Sequence, residues 1–138
     1  NQNKLIINIE IKSGEASGLL YLIQQIKNVC KASNVQVFYS SFDFNVIEII
    51  SQNTTEQYSY LIKTEDQVSG IKPTNNLYAI TIDQSQLKNT SLVNKIASFN
   101  CKLGVYFNHI EAFKLSYDAV MAHPKVGMVF SDYESASN

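Results

Sequence analysis

The chain has 138 residues, 45% of them hydrophobic, with seven Phe and eight Tyr, so it holds enough apolar bulk for one modest core and does not read as disordered. Eleven basic and twelve acidic residues nearly cancel, and the aromatics are not interleaved with Lys and Arg, which removes the electrostatic case for nucleic acid or an anionic membrane. No run approaches the roughly 18 apolar residues of a membrane span, and two cysteines, Cys30 and Cys101, make neither a disulfide framework nor a metal site.

In chain order, "KLIINIEIK" alternates cleanly. Leu5, Ile7, Ile9 and Ile11 share one parity, and Asn8, Glu10 and Lys12 the other, so a strand is expected with its aliphatics on the core face. Leu19, Leu22, Ile23, Ile26 and Cys30 then fall on one helical face, with Ser17 as the expected N-cap. A strand follows at about 35–42, then a short helix over 44–51 capped by Asp43, and a strand at about 58–64. "EDQVSGIKPTNN" reads as a loop or one short helical turn. A strand over 77–83 leads to a helix opening at Thr90 or Ser91, and a strand to about 102–108. In the last helix Ile110, Phe113, Tyr117, Val120 and Met121 share a face, Pro124 stops it, and a final strand covers about 125–131.

Strands alternating with helices predict an α/β fold of parallel βαβ units in one domain over 1–138. Two architectures fit: a small doubly wound sheet, or part of a (β/α)8 barrel. No GxGxxG or GxxxxGK[ST] is present, which removes the simplest nucleotide-binding readings.

In either architecture sites gather at the carboxyl ends of parallel strands. Those ends carry Glu10 and Lys12, Ser40 and Ser41, Asp83, Asn108, and Ser131 with Asp132. Glu10 and Lys12 lie about 6.6 Å apart along one strand face. The carboxylate suits a hard cation such as Mg²⁺ or Ca²⁺, and the ammonium suits a phosphate. The plain reading of the same spacing is a solvated Glu–Lys pair.

Four motifs stand in a telling order: "INIEIK", "SSFD" opening a helix, "VYFN", and "MVFSDY" near the end. The series resembles the C-terminal half of the glycerophosphodiester phosphodiesterase family and covers essentially the whole chain. The resemblance implies about strands 4 to 8 of a TIM (β/α)8 barrel and metal-dependent hydrolysis of glycerophosphodiesters to glycerol 3-phosphate and an alcohol. It implies Glu10 as a ligand of the divalent metal and Lys12 as the phosphate contact. Ser41 and Phe42 stand at the family's "SF" turn, and Asn108 matches its Asn. Tyr106 replaces the usual Trp and keeps a flat ring with a polar tip. Asp132 matches a terminal Asp read as mainly structural, with Ser131 beside it.

The family's two catalytic histidines and two further metal carboxylates belong to earlier strands and have no counterpart in this sequence. His109, near a strand end, is the weak catalytic candidate, and His123 reads as a helix-end residue. A barrel of this kind runs to about 250 residues. The chain by itself is therefore expected to hold Mg²⁺ or Ca²⁺ weakly and to need a partner, either the missing N-terminal half or a second copy of itself. A non-catalytic, dimeric assembly module is the competing reading. The opening "NQNK" is polar and shows no signal peptide, and with reduced cysteines a cytoplasmic location is expected.

Overall fold

The computed structural model describes residues 4–107 and 110–130, and side chains for 4–107 and 116–130. The element order is β1 (Leu5–Glu10), α1 (Ala16–Cys30), β2 (Val35–Ser41), α2 (Phe44–Asn53), β3 (Gln57–Leu61), β4 (Leu77–Asp83), α3 (Thr90–Ala97), β5 (Lys102–Tyr106), α4 (Ile110–Ala122) and β6 (Val126–Phe130). Short 3-10 turns cover Glu65–Gly70 and Gln84–Lys88.

The six strands form one sheet in the order β1-β2-β3-β4-β5-β6, with parallel ladders. The fold is therefore α/β, as the alternation predicts. A doubly wound sheet reverses its strand order at a switch point. Here every step moves to the next strand without reversal, so the doubly wound expectation is set aside.

The chain divides into two compact units, one of Asn1–Tyr60 with Thr74–Tyr78 and one of Leu61–Pro73 with Ala79–Asn138. In the first unit α2 starts where expected, because the Asp43 side chain accepts from Asn45 N at 2.9 Å and satisfies one of the orphan donors of the first turn. Its Val46, Ile47 and Ile50 are buried, each contributing about 1.5–3 kcal/mol of apolar transfer. Phe44 meets Tyr60 edge-on at 4.7 Å, and Tyr60 meets Tyr58 at 5.9 Å, so these tyrosines mark the helix-covered face of β3. Tyr39, in register beside Tyr58, is buried as well. Burial, aided by the charges of Glu56 and Cys30, pushes its phenol up to about 12.

Two expectations fail in this unit. The cap position of α1 is Glu15, with no side-chain capping bond, and Ser17 lies inside the helix. No residue of β1 is buried: Leu5 and Ile7 are exposed and Ile9 half-buried, and the buried Ile11 lies just past the strand. The alternation places the side chains correctly by face, but β1 is the edge of the sheet and no described residue covers its first half.

In the second unit Asn89 caps α3 by accepting from Leu92 N at 3.1 Å, and Leu92, Val93 and Ile96 are buried. Glu65 ties the 3-10 turn to α3: it accepts from Ser91 Oγ at 2.7 Å and Asn89 Nδ2 at 2.9 Å and pairs with Lys95 at 2.8 Å. Gln67 Oε1 accepts from Lys63 N and Thr64 N, closing the start of that turn. Val105, Phe107 and Val120 form a core cluster joined by Tyr117, Val126 and Val129. Met121, expected on that face of α4, is exposed, because Val120 takes the inward position. The side chains of Ile110 and Phe113 lie outside the described residues. Cys30 and Cys101 are free thiols, and burial pushes Cys101 up to about 11, away from thiolate reactivity.

Candidate functional site

Parallel partners share a face, so register decides which strand-end residues gather. Glu10 stands beside Ser40, and Ser40 beside Ser59. Asn8, of the same parity as Glu10, accepts a hydrogen bond from Ser40 Oγ at 2.8 Å. This row therefore occupies the face of the first unit opposite the Tyr39–Tyr58–Tyr60 helix face. Below it Phe38 packs on Tyr78, ring centroids 4.5 Å apart. The polar parity of β1 thus joins a hydroxyl-lined strip floored by aromatics.

Glu10 ends β1 and is exposed, and Lys12 is exposed two residues on. Among the described residues neither makes a hydrogen bond or ion pair. Ser41 is buried and otherwise engaged: its Oγ donates to the Ile11 carbonyl and accepts from Asp43 N at 3.0 Å. It fastens the end of β1 to the entry of α2. Phe42 follows β2 and is half-buried.

In the second unit Asp83 and Tyr106 are register partners at the ends of β4 and β5. Asp83 is buried and accepts from Ser85 N at 2.8 Å, capping the following turn. The Tyr106 hydroxyl donates to the Ile62 carbonyl at 3.3 Å, and burial, then the Asp83 carboxylate, raises its pKa. Asn108, His109, Ser131 and Asp132 lie outside the described residues. His123 closes α4, and its Nδ1 accepts from Lys125 N at 3.2 Å, which is the helix-end role expected of it.

Among the described residues no three His, Cys, Asp or Glu side chains gather to hold a metal ion. Glu10 supplies at most two of the roughly six oxygens that Mg²⁺ or Ca²⁺ takes, so these residues do not fit a complete divalent site. No helix of the described residues is long and apolar enough to cross a membrane.

Ser59 is the residue that sequence reasoning misses. Its hydroxyl is fully buried with no hydrogen-bond partner among the described residues. "YSYL" carries no signal for it, because only the β2–β3 register brings it beside Ser40. Asn8, by contrast, was legible from its shared parity with Glu10.

No protein-family model matches this sequence, and neither does any curated protein.

Proposed function

We propose that this chain carries the later strands of a metal-dependent phosphodiesterase barrel that resembles the glycerophosphodiester phosphodiesterases. The observation that carries the reading is the four-motif series, "INIEIK", "SSFD", "VYFN" and "MVFSDY", set on strands that follow one another without reversal. Six strands are one more than a span from the fourth to the eighth contains, so with β6 as the last, β1 stands third.

In this reading Glu10 contributes one carboxylate to a Mg²⁺ or Ca²⁺ set completed from outside the chain. When bound, such a metal polarises the phosphate and stabilises charge in the transition state. Lys12, on its flexible stem, brings a point charge to a phosphate oxygen. Ser41 keeps the Glu10–Lys12 segment seated on β2. The resemblance assigns the Tyr106 ring to the glycerol moiety and Asn108 to substrate binding, and His109 is the weak candidate for proton transfer. The histidines of the earlier strands come from the missing half. A cytoplasmic location belongs to the same proposal.

Hydrolysis of glycerophosphocholine with Mg²⁺ or Ca²⁺ tests it, using the chain, its Glu10→Ala variant, and the chain supplemented with an earlier-strand half from a family member. Turnover that needs the supplement and disappears with Glu10→Ala is expected. Turnover unaffected by Glu10→Ala would remove Glu10 from the site, and none under any condition would overturn the hydrolase reading.

A second reading, a non-catalytic assembly module, is favoured by one observation: the exposed aliphatics of β1 and α1.

A further inference from the structure

We propose that the free edge of β1 is a two-fold interface between two copies of this chain, with β1 pairing antiparallel to β1 of the second copy about Ile7. Most of the exposed large hydrophobic residues lie on β1 and α1: Leu5 (60%), Ile6 (48%), Ile7 (36%), Tyr21 (67%), Leu22 (44%) and Val29 (79%). Leu5 and Ile7 have one parity and Ile6 the other, so both faces of the strand are bare at this edge. A lid over one sheet face cannot cover both Leu5 and Ile6, whereas a second copy set beside β1 meets both faces.

The backbone is ready for it. Ile11 N donates to Ser40 O at 2.8 Å, so the odd residues of β1 aim their N–H and C=O at β2. By alternation Ile6, Asn8 and Glu10 aim theirs at the free edge, a pairing template. The charges choose the register. With Ile7 opposite Ile7 of the second copy, Lys4 faces Glu10, Leu5 faces Ile9 and Ile6 faces Asn8, with each pair occurring twice. Sliding one way to the next register of this parity sets Lys4 against Lys12, and like charges directly opposite destabilise a ladder; sliding the other way sets Lys4 against Asn8 and loses the Lys4–Glu10 pair.

The helix layer agrees. Residues opposite each other in an antiparallel pair share a face, so Leu5 against Ile9 keeps the helix-facing parity of both copies on one side. On α1, Leu20, Gln24 and Lys27 line a cleft with Gln52 and Asn53 at the end of α2, so α2 lies along that flank. Leu22, Ile26 and Val29, at helical spacing, lie on the other flank, toward the free edge. Gly18 lies one turn before Leu22 on the same flank, and a Cβ there would meet nothing within 4 Å, so this flank is open within one copy. Two α1 helices approaching across the two-fold axis fill that space and cover Leu22 and Val29. The interface is self-complementary, as two-fold symmetry requires.

Sedimentation of the chain across a concentration series, without metal or substrate, tests this directly. The expected mass is twice the 15.5 kDa of one chain at high concentration. Ile7→Lys places two ammonium groups on the axis and should leave only monomer. Lys4→Glu should weaken the dimer about tenfold, through two like-charge pairs. Lys4→Glu combined with Glu10→Lys should restore it, and circular dichroism checks that each variant is folded. A wild-type chain that stays monomeric overturns the proposal, as does failure of the charge-swapped variant to regain the dimer. Growth beyond dimer also overturns it, because it signals head-to-tail pairing. The test is independent of hydrolysis, so either proposal can fail while the other stands.

Discussion

Gly104 has no room for a side chain. A Cβ there would overlap Thr81 Oγ1 and sit 3.2 Å from Thr81 Cβ and Cγ2. Thr is stiff at χ1, so relief must come from the strand itself. Gly104→Ala should cost about 1–3 kcal/mol in a urea melt, and Thr81→Ala should relieve most of that in the double variant; additive losses would show that the contact is not the cause. The Thr81 hydroxyl is fully buried without a partner among the described residues, so Thr81→Ala alone also removes an unsatisfied polar group. Glu65 makes a second prediction. Hydrogen bonds from Lys95, Ser91 and Asn89 hold its carboxyl down to about 2, against an ordinary 4.5. Its contribution is therefore fully present above about 4.5 and is lost as pH falls toward 2. Glu65→Gln should melt lower than wild type at neutral pH, with the gap closing below pH 4.5; a gap independent of pH would assign the effect to shape rather than charge.

At the scale of elements, α2 and α1 differ in how they begin. Asp43 both caps α2 and donates its N–H to Ser41 Oγ, so the β2–α2 corner is fixed from two sides. Asp43→Ala should lower stability by about 1 kcal/mol, while Asp43→Asn, which keeps the accepting oxygen, should lose little. Equal losses in a thermal melt would shift the credit from the capping bond to the carboxylate's charge. The start of α1 has no such bond, and its position follows from packing of Leu19 and Ile23. That is why Ser17, a good capping residue type, was a poor guide to the boundary.

For the whole molecule, the sheet order separates protected strands from edges. β2, β3, β4 and β5 each have a neighbour on each side, and among the described residues β1 and β6 have only one. Amide hydrogen exchange at a concentration where the chain is monomeric should be slowest in the interior strands β2 to β5. It should be fastest at Ile6, Asn8 and Glu10, whose N–H groups face the open edge of β1. Protection of those three in dilute monomer would mean that the edge is already covered within one chain. The same edge is where an earlier barrel strand would sit, so an added earlier-strand half and a second copy would compete for β1, and the half should dissociate the dimer.

The sequence by itself determined the alternation of strands and helices, the caps at Asp43 and near Thr90, and the polar parity of Asn8 and Glu10. Each of these is written in local periodicity or in a side chain that reaches its own backbone. It also placed Glu10, Ser41, Asp83 and Tyr106 at strand ends, where parallel sheets collect chemistry. Only the tertiary structure decided that the strands follow one another without reversal, since both candidate architectures share one local pattern. It also decided that Ser59 lies beside Ser40 and that Ser41 is spent on the Ile11 carbonyl. Above all it decided that Leu5 and Ile7 stand exposed. Period two fixes which way a side chain points, but whether anything waits there depends on the neighbouring strand, and β1 has one neighbour only.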